Sequence, residues 1–186
     1  MKLNLKQILQ WVATHSDKPI FFMTAGLPGS GKSTFLGSLS EALPDLVIGS
    51  TDDFIEKEGR KLGLNYSEAF KAISFAHAKA DLKKTITLAI KDKKNLVLDQ
   101  TNCSAKARRT KLEDIPPSYT KVCLVFDVSD TVLQERLANR ARTTGKFIPE
   151  HVMKNMTDSW QSPSCKDGFD FIIEVIQNGS FIANNS

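Results

Sequence analysis

No run of apolar side chains in this 186-residue sequence approaches the roughly 18 that a membrane-spanning helix needs. The lysine-bearing start, MKLNLKQILQWVATHS, also lacks the apolar stretch and small-residue cleavage site of a secretory leader. Cysteine is scarce: Cys103, Cys123 and Cys165 are odd in number and widely spaced, with no C-x-x-C and no neighbouring histidine pair. That excludes a disulfide framework and a compact zinc site, and leaves free thiols suited to a reducing compartment. A large charge of one sign is missing as well, because 25 Lys+Arg against 21 Asp+Glu leaves only +4. Such a balance tolerates an anionic substrate without demanding nucleic acid. No internal repeat or low-complexity tract interrupts the chain, and its length suits one domain. The expectation is a soluble, cytoplasmic, single-domain protein with no membrane contact.

What is present begins at Ile20, Phe21, Phe22 and Met23, an apolar run with the look of a buried strand. It ends where residues 26–33 spell GLPGSGKS, an unbroken G-x-x-x-x-G-K-[ST] phosphate loop. Gly26, Gly29 and Gly31 let the backbone turn so that consecutive N–H groups face inward without a Cβ between them and an oxyanion. Pro28 and Ser30 complete the loop, and a helix opening beside Ser33 (Phe35, Leu36, Leu39 and Leu43 at helical spacing) adds its unpaired N–H groups. Lys32 is placed to reach β/γ-phosphates and the Ser33 hydroxyl to ligate Mg²⁺, with Thr34 either touching an α-phosphate or only starting the helix.

Around this loop the pattern alternates between strands and helices. Leu3, Leu5, Ile8, Leu9 and Val12 predict an amphipathic helix over 3–14 inside an N-terminal extension, 1–18. Strands are predicted at 46–50, 95–99, 121–128 and 169–176, five in all with the first. A helix opened by Asn65 and Glu68 is predicted to run to about Lys91 with His77 packed on its apolar face, a structural rather than catalytic histidine. Another starts near Ser104, carries Arg109 among its cations and ends at Pro116. Asp130 is suited to cap the next. Residues 140–148 hold Arg140, Arg142, Gly145 and Lys146, a basic, glycine-containing break that reads as a lid, and the tail 177–186 is expected to fray. This order predicts an α/β fold: a five-stranded parallel sheet with helices on both faces.

The chemistry follows from what sits at strand ends, where open α/β sheets bind ligands. Asp52 and Asp53 follow the second strand, and Asp52 is the candidate general base for an acceptor hydroxyl, with Asp53 as alternative or both as first-turn capping acids. Asp99 ends the third strand in Walker-B-like fashion and is a candidate magnesium contact, followed by Gln100, Thr101 and Asn102. No N-K-x-D guanine-reading string and no L-S-G-G-Q-like signature occurs, which argues against GTPases and transport ATPases. A small kinase remains, in which Lys32, Mg²⁺ and lid arginines neutralise a migrating phosphoryl group.

The order 26–34, then S-T-D-D at 50–53, L-D-Q-T-N at 98–102, an arginine-rich segment and I-P-E at 148–150 resembles the kinase domain of the polynucleotide 5′-kinases over nearly the whole chain. The resemblance implies the nucleotide-kinase fold with the phosphate-loop strand central and ATP as donor. It assigns Asp52 as base, Lys32 and Ser33 as donor ligands, and Arg140 and Arg142 as lid residues on the donor phosphates. It places the D-x-T-N string at 99–102 and a nucleic-acid 5′ end as acceptor; the candidate acceptor contacts in this chain are Asp52, Asp53, Thr101 and Asn102, with Arg109 a candidate substitute cation. In some of these kinases an arginine three residues after the base holds the acceptor's 3′-phosphate; here that residue is Ile55. The acceptor therefore stays open between nucleic acid and a small molecule, nucleotide-sugar or hydroxymethylated base, and a non-catalytic ATP-binding module is the remaining alternative.

Overall fold

The computed structural model describes residues 1–15 and 17–176. The predicted tail lies outside the described residues. Six strands are present: β1 (Lys2–Leu3), β2 (Ile20–Ala25), β3 (Val47–Gly49), β4 (Leu96–Leu98), β5 (Thr120–Val125) and β6 (Phe171–Val175). They form one sheet in the order β1-β6-β5-β2-β4-β3 with every pairing parallel. The helices are α1 (Leu5–Thr14), α2 (Lys32–Ala42), α3 (Thr51–Lys61), α4 (Tyr66–Ala72), α5 (Phe75–Lys91), α6 (Ala105–Glu113), α7 (Asp130–Thr144) and α8 (Glu150–Asp158). The strand leading into the phosphate loop, β2, lies between β5 and β4, so its C-terminal end meets the point where the chain changes from building one side of the sheet to the other.

All six residues of β2 are buried, as a strand covered on both faces must be. Ile20 and Phe22 pack with Ile8 and Val12 of α1 and Phe35, Leu36 and Leu39 of α2. Phe21 and Met23 face the other way, against Ala89, Ile86 and Leu82 of α5 and Leu112 of α6. A third, smaller cluster of Ile55, Ala69 and Ala78 joins α3, α4 and α5 away from the sheet. Burying Phe21, Phe22 and Phe35 contributes about 1.5–3 kcal/mol each, so the loop hangs from the best-packed part of the molecule.

Four expectations are corrected. The sheet has six strands, because Lys2 and Leu3 pair with Glu174 and Val175 of β6. The helix expected from Asn65 to Lys91 is two helices: Ile73 takes extended backbone (φ −92°, ψ 131°) and Ser74 restarts the chain as the α5 N-cap. The cause is close packing of α4 on α3, where a Cβ on Gly59 would lie 2.4 Å from Cβ of Ala69, after which the chain must turn to lay α5 on the sheet. The new helical phase buries Ala78 and leaves His77 exposed rather than packed. Finally, α7 is capped by Ser129, whose side chain accepts from the Val132 amide, and Asp130 is its first residue.

Cys103 and Cys123 are buried free thiols and Cys165 is exposed. Among the described residues no helix is long and apolar enough to cross a membrane.

Candidate active site

The phosphate loop is shaped by contacts that forbid side chains. A Cβ on Gly26 would sit 2.7 Å from both the Phe126 carbonyl and Ser30 Oγ, and Gly29 and Gly31 hold φ of 84° and 96° in the left-handed region. The Gly26 amide donates to the Thr101 carbonyl at 3.0 Å, tying the loop to the segment after β4. Pro28 and Ser30 are buried, whereas Ser33 and Thr34 stand exposed on the first turn of α2. That helix has Gly31 as its N-cap and no side-chain cap, so its first N–H groups are left for a ligand. Lys32 Nζ donates to the carbonyls of Gly26 at 2.8 Å and Leu27 at 2.9 Å. Burial pulls its ammonium down to about 8, against the raising effects of Asp99, Cys103 and Asp52, while Arg140 adds to the lowering. An ammonium so placed gains most from an anion.

Asp52 and Asp53 occupy the first turn of α3, where Ser50 is the N-cap and accepts from the Asp53 amide at 3.2 Å. Capping is thus done by the serine, and the carboxylates are left to the cleft. The Asp52 carboxyl is raised above its ordinary value by desolvation and by Glu56 and Asp53, with Arg140 and Lys32 pulling it down. Asp53 is raised by desolvation and Glu56, against Lys146 and Arg60. Asp99 is raised by desolvation; Lys32 and a hydrogen bond from Thr24 Oγ1 at 3.1 Å oppose this, and Asp53 and Asp52 add to it.

Arg140, on the last turns of α7, closes the set. Its guanidinium lies 5.9 Å from the centre of the Tyr66 ring, and Lys146 Nζ lies 5.2 Å from the same ring while ion-pairing with Glu56. Desolvation and the nearby Asp52 push the Tyr66 phenol up to about 12, with Arg140 opposing. Arg136, one turn earlier, donates to the Gly29 carbonyl at 3.4 Å. The fold therefore gathers Lys32, Asp52, Asp99 and Arg140 at one sheet edge. Arg142 is exposed and bonded to Asn139 of its own helix at 3.1 Å, and Arg109 is exposed with a bond to the Ala105 carbonyl at 3.4 Å. Neither is brought into the gathering.

The segment after β4 does structural work. Asn102 is buried with φ 48°; its Nδ2 donates to the Thr24 carbonyl at 2.6 Å and its Oδ1 accepts from Lys111 at 2.6 Å. Expected from sequence at the acceptor, its side chain here ties the segment after β4 to Thr24 of β2 and to Lys111 of α6. Arg108, fully buried, holds the same segment through the carbonyls of Asn102 (2.9 Å) and Cys103 (3.0 Å) and pairs with Asp167 at 2.8 Å. Tyr66 and Glu56 carried no sequence signal, and Arg136 and Arg108 stood out only as members of basic segments, with no role of their own. For Arg136 a signal existed, since it stands one helical turn before Arg140.

Among the described residues no group of three or more His, Cys, Asp or Glu side chains could hold a metal ion. Magnesium needs less: one or two hard oxygens, with water and substrate phosphates completing the shell. The Ser33 hydroxyl and the Asp99 carboxylate are a donor set of that kind.

The sequence profile of the AAA domain family AAA_33 matches residues 21–163, from β2 to beyond α8. The human heterogeneous nuclear ribonucleoprotein U-like protein 2 is 27% identical over 154 residues, covering 80% of this chain and 20% of that protein, and the mouse protein aligns to the same extent. The chain thus spans about a fifth of the length of these curated relatives. A chain of the Pnkp1/Rnl/Hen1 RNA repair complex superposes with a TM-score of 0.62 at 25% identity, over 83% of this chain and 47% of that one. A fungal RNA kinase gives 0.55 at 22% identity over 86% and 75%, and a gluconokinase from Sinorhizobium meliloti 1021 gives 0.51 at 19% over 86% and 85%. The chain therefore belongs to the AAA domain family, with the fold shared by these RNA-repair and kinase structures.

Proposed function

We propose that the protein transfers the γ-phosphoryl group of ATP to the 5′-hydroxyl of RNA or DNA. The observation that carries this reading is the convergence of Lys32, Asp52, Asp99 and Arg140: a donor loop, carboxylates beside it and a lid cation, with Lys32 in electrostatic reach of the other three and Asp52 of Arg140. The main-chain amides of the loop and Lys32 hold the β- and γ-phosphates, and Arg140 lies across from them to meet charge on the γ-phosphoryl oxygens. Asp52 accepts a hydrogen bond from the acceptor hydroxyl and aims its oxygen at the γ-phosphorus. As the new O–P bond forms, the bond to the β,γ-bridging oxygen breaks, the hydroxyl proton passes to Asp52, and ADP carries away the electron pair. Ser33 and Asp99 would hold magnesium, which would supply neutralising charge for the migrating phosphoryl group. The likeness to RNA-repair and RNA-kinase structures favours a nucleic-acid 5′ end.

A second acceptor class, a small polyol or sugar, is favoured by one observation. Ile55, where some polynucleotide kinases carry a phosphate-binding arginine, is 1% exposed, packed in the α3–α4–α5 cluster and without charge to offer a phosphate. Labelled ATP with magnesium and a panel of 5′-hydroxyl oligonucleotides, nucleosides and sugars separates the two. Label in oligonucleotides is the expected result; label confined to small molecules moves the acceptor, and absence of transfer to every acceptor refutes the kinase mechanism. Three free thiols, two of them buried, suit the reducing, cytoplasmic setting proposed for it.

A further inference from the structure

Between α5 and α6, over the face of β2 and β4, lies a cavity of about 420 Å³, on the scale of ligand pockets. Its floor is apolar, made by Phe21, Leu82, Ile86 and Leu98. Its charged groups are lopsided: Lys79 and Lys83 enter from α5 and Lys111 from α6, against Asp114 alone. None of the three lysines forms an ion pair among the described residues. Lys111 is half-buried and donates to a neutral amide oxygen, Asn102 Oδ1. Burial pulls its ammonium down to about 8 and the facing Lys79 lowers it further, while Cys103 opposes. Converging cations that outnumber the one carboxylate among them are stabilised by an anion from outside.

The upper end of the cavity is one hydrogen bond away from the start of α3. Gln100 lines it, and its Nε2 donates at 3.2 Å to Thr51 Oγ1, the residue before Asp52. Gln100 Oε1 is buried with no partner. Exchanging the two ends of the amide leaves one polar atom unpartnered either way, and such an atom favours a ligand that supplies the missing bond. At Ile55 there is no cation to receive a phosphate of the acceptor. The groove has three.

We infer that this groove is an anion subsite for the acceptor, in which Lys79 and Lys111 hold a phosphate ester carried by the molecule whose hydroxyl faces Asp52, while Gln100 pairs with a polar hydrogen-bonding group beside that ester. The inference rests on the phosphotransfer reading above. The ester is either the 3′-phosphate of a terminal nucleotide or that of a sugar phosphate, and the experiment separates them. The full chain, its donor loop filled with a non-hydrolysable ATP analogue, is titrated calorimetrically with thymidine 3′-phosphate, thymidine, glucose 6-phosphate and glucose, and lysine acetylation is mapped by mass spectrometry. One phosphorylated probe binds about tenfold or more tightly than its unphosphorylated counterpart, protects Lys111, and loses that advantage in Lys111→Met and in the exposed-site variant Lys79→Gln. The nucleotide arm identifies a nucleic-acid end, the sugar arm a small metabolite. Equal binding of phosphorylated and unphosphorylated probes, or an advantage that survives both substitutions, overturns the subsite. Transfer from labelled ATP is measured in parallel: phosphate-selective binding with no transfer refutes the kinase reading and keeps the subsite, whereas transfer indifferent to the ester does the reverse.

Discussion

Nucleotide affinity should fall steeply with rising pH because the donor loop depends on an ammonium that desolvation has weakened. Burial brings Lys32 from an ordinary 10.5 to about 8 in the nucleotide-free protein. Roughly nine in ten copies are then charged near pH 7 and roughly one in ten near pH 9. If only the charged form holds the triphosphate, affinity drops about tenfold across that span. The sign is that of a lowered cation: the proton leaves earlier than in the unfolded chain, and an anionic ligand restores it. Binding near pH 8 therefore takes up about half a proton. Titration of a fluorescent non-hydrolysable ATP analogue at three pH values gives the slope, and calorimetry in buffers of different ionisation heat counts the proton. Lys32→Met should bind weakly with no slope. Lys111→Met should keep it, since Lys111 is also lowered to about 8 but sits in the α5–α6 groove away from the donor loop. A flat wild-type profile, or a slope that survives Lys32→Met, refutes the reasoning.

Replacing the acceptor carboxylate, Asp52→Asn, should cut turnover by about 10²- to 10⁴-fold with nucleotide affinity kept, read by steady-state rates beside direct titration. Because Asp52 is raised by desolvation and by Glu56, activity should fail as pH drops through that raised value, above the ordinary 3.8; Glu56→Gln removes a negative neighbour and should move the acid limb of the pH–rate profile to lower pH. Gly26→Ala forces a methyl to 2.7 Å from a carbonyl and a hydroxyl, and thermal unfolding should show a loss of about 1–3 kcal/mol together with impaired nucleotide binding. Arg108→Met strands Asp167 in the interior and should cost about 3–5 kcal/mol, checked by denaturant unfolding, with the double variant carrying Asp167→Asn recovering part of it.

Local signals carried most of the fold. The apolar run at 20–23, the glycine spacing and the Asn65–Glu68 cap are written within a few residues of one another, and the structure forms them where the pattern places them. What escaped was set by distance along the chain. β1 is two residues long and exists because β6, some 170 positions away, offers an edge. The break at Ile73 depends on how closely Gly59 admits α4, which the periodicity of 65–91 does not record. Likewise Arg108 and Arg109 are chemically equal neighbours in sequence. Only the arrival of Asp167 from 59 residues away decides that the first is interior and the second solvated. The candidate site divides the same way: Lys32 and Asp52 follow from motif and strand-end position, while Tyr66 and Glu56 enter because Lys146, after α7, meets both α4 and α3.

The cluster of Ile55, Ala69 and Ala78 is made largely of small side chains and lies apart from the two cores that grip the sheet. Less apolar area secures α3 and α4 than secures β2, so the layer behind the acceptor carboxylates is the part of the molecule able to open while the phosphate loop stays folded. Amide protons in α4 should exchange with solvent through such partial openings well before those of β2, and a variant that fills this cluster would stiffen the mouth of the cleft without touching the donor.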